Sequence, residues 1–244
     1  MLGKIGSTNM MHHGLTARDY IQDGLIAMWD GIENVGWGVH DSNAAVWKEL
    51  VNGWDLPMPS GTVWNEDSVG PSNTKNSGYF GKASKQEMSV AMTANNAAAF
   101  EISFLKTYDS ITPEWSTSVG QGVNFYLRFL GNQVAMYNNG GMTGSGTYFY
   151  NFRLSKKVFH TLVLNMESGK KCQVYADGVK VDESRNVGVF NVSLWKTGNY
   201  QQKWNFQAEK QYCCRIYNRV LTNSEIAANH NIDVARFNPN GGGA

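Results

Sequence analysis

Residues 211–237 read QYCCRIYNRVLTNSEIAANHNIDVARF, and this stretch decides the fold. Alternation from Tyr212 to Tyr217 predicts a strand, because neighbours on a strand lie on opposite faces. Asn218-Arg219 and Val220-Leu221 then lead into Thr222-Asn223-Ser224-Glu225. The Thr-x-x-Glu spacing is that of a capping box, in which hydroxyl and carboxylate each satisfy a backbone N–H of the other residue. It predicts a short helix from Asn223 to about Val234, covering one end of the molecule.

The remaining signals are mostly of strands and turns. Ala98 to Phe104 alternates Phe100, Ile102 and Phe104 against Glu101 and Ser103. In Gly122 to Leu130, Val123, Phe125, Leu127 and Phe129 share one face, and Asn124, Tyr126 and Arg128 the other. Gly131-Asn132 predicts a hairpin into Gln133 to Tyr137. Phe159 to Met166 and Lys171 to Ala176 form a second hairpin. Asp177-Gly178 predicts a tight turn into Val179 to Asp182. With 26 Gly, 11 Phe, 11 Tyr and 8 Trp among 244 residues, and 17% charged, the composition suits one β-rich domain.

The stretch 212–227, with its R-I-Y-x-R-x-L-T-x-x-E-I pattern, resembles the ending of laminin-G-like modules of the concanavalin A-like lectin/glucanase superfamily. DGLIAMWD (23–30) is similar to the family's opening strand, VWKEL (46–50) to the segment after it, and the Asp177-Gly178 hairpin to its central turns. The resemblance covers roughly residues 19–237. It implies an all-β, two-sheet antiparallel jelly-roll sandwich with one short C-terminal helix. Residues 1–18 then read as a flexible N-terminal arm and 238–244 as a flexible tail. The superfold hosts lectins, hydrolases and structural modules, so it implies little about function by itself.

Charge argues against nucleic acid and anionic membrane as partners: the net charge is +1, and no basic run exceeds Lys156-Lys157 or Lys170-Lys171. No apolar run approaches the ~18 residues of a membrane span. Residues 1–18 lack the continuous apolar stretch of a secretory signal. Cys172, Cys213 and Cys214 are odd in number, and two are adjacent, so they read as small core residues rather than a disulfide framework.

Catalytic patterns are wanting. A retaining glycosidase needs two carboxylates about 5 Å apart, which Glu-x-Asp-x-Glu on one strand supplies. Here Glu66-Asp67 and Asp182-Glu183 are adjacent and so oppositely directed, which leaves only pairing across strands. No Gly-x-Ser-x-Gly elbow occurs, and Gly140 to Gly146 lacks the Lys of a phosphate loop. His12-His13 reads as tail. Calcium is the one metal the loops could hold, through Asp41, Asn43, Asp55, Asn65 and Asp67, against the plain reading that these are turn residues. No other cofactor is expected.

Aromatic residues carry the best clue, because sugar rings stack their C–H faces on Trp and Tyr while Asn and Asp hold hydroxyls. They fall in three groups: Trp37 with His40, Asp41, Trp54 and Trp64; Trp115 with Tyr137, Asn138, Asn139, Tyr148 and Tyr150; and Trp195 with Tyr200 and Trp204. Filling of the core is the competing explanation for several of them. The ligand-binding candidates are Trp37, Asp41, Trp115, Tyr137 and Asn138. Three functions stay open. The first is a noncatalytic phage virion structural or decoration protein, assembled in host cytoplasm, oligomeric, and attached to other virion proteins or host-surface glycan. The second is a secreted or surface carbohydrate-binding module of a bacterium. The third is a glycoside hydrolase with an unrecognised site.

Overall fold

The computed structural model describes residues 14–58, 63–70, 79–80, 88–90, 97–106, 115–119, 123–130, 133–139, 146–155, 158–167, 169–186, 195–197, 204–205 and 208–238. The expectations for residues 1–13 (His12-His13 included), 140–145 and 239–244 lie outside these. In chain order the strands are β1 (Leu25–Asp30), β2 (Val46–Trp47), β3 (Leu56–Pro57), β4 (Val63–Trp64), β5 (Val69–Gly70) and β6 (Tyr79–Phe80). Next come β7 (Met88–Val90), β8 (Ala97–Lys106), β9 (Trp115–Val119), β10 (Val123–Leu130), β11 (Gln133–Asn139) and β12 (Gly146–Arg153). The last are β13 (Phe159–Glu167), β14 (Lys171–Ala176), β15 (Val179–Asn186), β16 (Trp195–Thr197), β17 (Trp204–Asn205) and β18 (Ala208–Tyr217), followed by helix α1 (Asn223–Phe237).

The molecule is an all-β antiparallel sandwich with this one helix. The main sheet has eight strands in the order β15-β14-β13-β8-β18-β5-β4, with β1 also pairing to β18. The second has four, β12-β11-β10-β9. The alternation seen in the sequence decides which side chains meet. Phe100, Ile102 and Phe104 of β8 join Leu162, Leu164, Met166, Cys214 and Ile216 on one face of the main sheet. Phe152 of β12 and Leu154 just beyond it enter the same cluster, so this is the core between the sheets. The other face of the main sheet is also covered. Ala99, Val163, Cys213 and Tyr217 pack there against Ile226 and Phe237 of α1 and against Ala17 and Tyr20. A strand covered on both faces leaves no side toward water, and every residue of β13 except Glu167 is buried.

The local signals fix the details. In the Asp177-Gly178 turn both residues have positive φ, 52° and 79°, which gives the twist a two-residue hairpin requires. At Gly31 a Cβ would lie 2.4 Å from the Asp67 carbonyl oxygen, so only glycine lets the 65–68 loop cross β1 there. Thr222 and Glu225 form the expected capping box, and α1 runs one turn longer than expected, to Phe237. The helix lies on the sheet face, against β13 and β15, rather than across an end of the sandwich. At the N-terminal side, the boundary expected at residue 19 falls inside an ordered 3-10 turn, Ala17–Asp19, capped by Thr16. Ala17 is fully buried, and its N–H donates to Glu33 Oε1 at 2.6 Å.

Candidate functional site

Three polar or aromatic regions compete as sites: a charged box under α1, the loops of residues 31–58, and the four-stranded sheet.

The box is the most highly charged part of the interior. Arg215 of β18 donates through Nη1 and Nη2 to Asp233 of α1 at 2.8 and 2.7 Å, and through Nε to Glu101 of β8 at 2.8 Å. Asn229 bridges Glu101 Oε2 and the Tyr217 hydroxyl and accepts the Ile21 N–H. Tyr20 donates its hydroxyl to Asp233 Oδ1 at 2.6 Å, and its ring lies 3.9 Å from the Arg215 guanidinium and 5.4 Å from that of Arg236. Arg236 in turn pairs with Asp30 and Glu33. Burial by itself would lower the Arg215 guanidinium, but Asp233 and Glu101 outweigh it and hold it well above its ordinary value. Burial pushes Glu101 up, against the pull of Arg215. Burial and the Asp233 charge push the Tyr20 phenol up. These groups are buried and paired with one another, while Glu101 Oε1 and Arg236 Nε have no hydrogen-bond partner among the described residues. The box is a clamp joining the 14–22 segment, β1, β8, β18 and α1, and no substrate reaches it.

The loops spend their polar groups on themselves too. Buried Glu49 accepts the N–H groups of Met28, Val51, Asn52 and Gly53 at 2.6 to 2.9 Å, which folds the 50–54 turn around one carboxylate. Asp41 accepts the Asn43 N–H, and its backbone is bracketed by the Asn34 side-chain amide. Asp55 accepts the Glu49 N–H and pairs with Lys48. Asn65 donates to Ser68 Oγ, and Asp67 lies 3.7 Å from Lys210. No group of three or more His, Cys, Asp or Glu among the described residues is placed to hold a metal. Trp37 is half-buried against the helix-side core, with the Arg18 guanidinium 4.3 Å over its ring. Trp47 and Trp64 meet edge to face in the inter-sheet core, ring centroids 5.6 Å apart.

The four-stranded sheet is different, because its register sets tyrosines and asparagines in adjacent rows. Across adjacent strands paired residues share a face, and along one strand neighbours alternate. Gln133, Ala135 and Tyr137 of β11 therefore share a face. Gln133 pairs with Arg153, which is exposed, whereas Phe152 and Leu154 on either side of it pack into the inter-sheet core. Ser116, Tyr126, Tyr137 and Thr147 form one register row across all four strands, with Tyr126 directly opposite Tyr137. Asn124, Ser118 and Asn139 form the next row. Arg128, Ala135 and Phe149 form the row on the other side.

Registration separates the residues that the sequence grouped together. Trp115 shares a row with Leu127, Met136 and Tyr148, and Asn138 one with Thr117, Phe125 and Gly146. Trp37 and Asp41 lie in the 31–45 loop, and Trp37 packs on the helix side of the main sheet. Of the five candidates, Tyr137 shares the register row of Tyr126, and Trp115 and Asn138 lie in other rows. Tyr126 was legible as its neighbour, since Asn124, Tyr126 and Arg128 already stood apart from the apolar face of β10. The missing link was the register that sets Tyr126 against Tyr137.

No protein-family model matches the chain, and no curated protein matches it. Solved structures do. The chain is similar to a mutant of Trypanosoma rangeli sialidase displaying trans-sialidase activity, with a TM-score of 0.56 and 14% identity over 85% of this chain and 32% of that one. It is similar to the same organism's sialidase in complex with sialic acid, with a TM-score of 0.53 and 14% identity over the same shares. A CBM40 of Ruminococcus gnavus IT-sialidase bound to α2,3 sialyllactose also matches, at 18% identity over 57% of this chain and 84% of that one. Its TM-score of 0.44 is too low to bear on the fold. The chain spans about a third of the length of the sialidases it matches. At such identity the likeness establishes the antiparallel β-sandwich fold and nothing of its chemistry.

Proposed function

We propose that this chain is a noncatalytic carbohydrate-binding β sandwich whose ligand lies across strands β9–β12. The observation that carries this reading is the Tyr126–Tyr137 cross-strand pair, flanked by Asn124, Asn139, Ser116 and Thr147 on the same face. Tyrosines at paired register positions with Asn, Ser and Thr beside them are the residue types that sugar recognition uses, aromatic faces for C–H surfaces and amides and hydroxyls for sugar hydroxyls. Use of the same architecture in a sialidase complexed with sialic acid agrees with sugar handling. The noncatalytic part rests on the carboxylates: Glu101 and Asp233 are consumed by Arg215, Asp30 and Glu33 by Arg236, and Glu49 by backbone N–H groups.

As to setting, we propose attachment or decoration on a phage particle or a cell surface, with the sandwich acting in an oligomer. Light scattering on the full chain and on a form lacking residues 1–13 tests that part; two monomers of equal stability would sink it. Sugar binding itself is tested with Tyr126→Ala and Tyr137→Ala on a glycan array. Each is expected to weaken every bound glycan at least tenfold, about 1.4 kcal/mol, with the melting temperature nearly unchanged. Undiminished binding in both variants would overturn the site.

A further inference from the structure

We infer that two copies of this chain pair through the patch formed by Arg18, Val39, Val63 and Glu66, with Arg18 of each copy set against Glu66 of the other. This names an interface for the oligomer proposed above and rests on that part of the reading. Arg18 and Glu66 are both exposed. The Arg18 guanidinium lies over the Trp37 ring, and neither it nor the Glu66 carboxylate has an ion-pair or hydrogen-bond partner among the described residues. The acids around them are engaged. Asp19 caps Thr16, Glu33 serves Ala17, Gly38 and Arg236, Asp41 accepts the Asn43 N–H, and Asp67 faces Lys210.

One short segment gathers these residues. Asp30 Oδ1 accepts the N–H groups of Ile32 and Glu33, which fixes residues 30–33 as a turn. Glu33 then takes the Ala17 N–H on Oε1 at 2.6 Å and the Gly38 N–H on Oε2 at 2.8 Å. Arg18 and Val39 are the next residues along, so one carboxylate positions both. At Gly31 the 65–68 loop crosses, and Glu66 is the residue before the Asp67 carbonyl that meets it. Arg18, Val39 and Glu66 are thus each one residue from a contact with the stretch from Gly31 to Glu33, which spans about 7 Å at most. Trp64 belongs to the inter-sheet core, so its neighbour Val63 takes the opposite face, on the side where Trp37 packs. Val39 is 52% exposed and Val63 45%. A cation, an anion and two uncovered valines make a self-complementary surface, and a two-fold axis brings each charge to its opposite. A partner of one sign would meet one of these charges and repel the other. A second copy meets both, and a net charge of +1 raises no general repulsion between copies.

The test is light scattering over a dilution series on the full chain and on two charge reversals, Arg18→Glu and Glu66→Arg, with melting temperatures as the check on folding. The native chain is expected to be a dimer. Each reversal sets like charges together twice across the axis and should raise the dissociation constant at least tenfold. Mixed in equal amounts, the two reversed chains restore both opposite pairs and should recover the native dimer. Neither a folding defect nor loss of the Arg18–Trp37 contact would be repaired by mixing. An assembly that survives both reversals, or reversed chains that stay apart on mixing, overturns this interface and leaves the oligomer standing. A monomeric native chain overturns the interface and the oligomer together, whatever other partner then covers the patch.

Discussion

Arg215 and Asp233 form a two-pronged ion pair between β18 and α1, at 2.8 and 2.7 Å, with neither side chain more than 2% exposed. A pair so sealed is costly to break from one side, since the partner left behind is a buried charge without a counter-ion. Asp233→Ala should therefore destabilise the protein by about 3–5 kcal/mol. It also removes the acceptor of the Tyr20 hydroxyl. Urea denaturation measures the loss; a change under about 1 kcal/mol would show that the pair is not what holds the helix down.

The helix cap gives a pH dependence with a definite sign. Arg219, joined by the Thr222 backbone and hydroxyl, holds Glu225 down from 4.5 to about 2. A carboxyl with a lowered folded value stabilises the protein fully above its unfolded value and loses that contribution as pH falls through the folded one. The stability gap between the native protein and Glu225→Gln should thus be constant above about pH 4.5 and close between there and pH 2. Denaturation midpoints at pH 7, 4 and 2.5 test this; a gap unchanged at pH 2.5 would remove Glu225 from the acid response.

Cysteine reactivity follows from burial. Cys172, Cys213 and Cys214 are buried and form no disulfide, and burial pushes the Cys213 and Cys214 thiols well up. Thiolate is the reactive form, so a thiol reagent such as DTNB should find no fast-reacting group in the folded protein and three in guanidinium. One fast equivalent under native conditions would contradict this packing.

What the sequence made legible was local. The capping box, the Asp177-Gly178 turn, the alternation of β8 and β18 and the strand β13 are signals within a few residues, and each is found where the pattern placed it. The charged box was hidden because Tyr20, Glu101, Arg215 and Asp233 are scattered along the chain, and nothing about an Arg in a strand reveals which acid it will meet. The position of α1 was hidden for the same reason: its buried positions include Asn229, Asp233 and Arg236, so it carries little apolar contrast to say which surface it will cover. The aromatic groups were legible as composition but not as a site. Tyr137 and Asn138 are adjacent, and adjacency on a strand divides what adjacency in a list suggests belongs together.

The Tyr20 ring held beside Arg215 and Arg236 also bears on how the protein is made. Its seat is built from residues that leave the ribosome nearly two hundred positions after it, and strand β18 pairs with both β1 and β8. The early strands thus wait, with apolar edges open, until residue 236 has been synthesised. Pairings so distant in sequence slow folding, and unpaired strand edges are open to a neighbouring chain for as long as they wait.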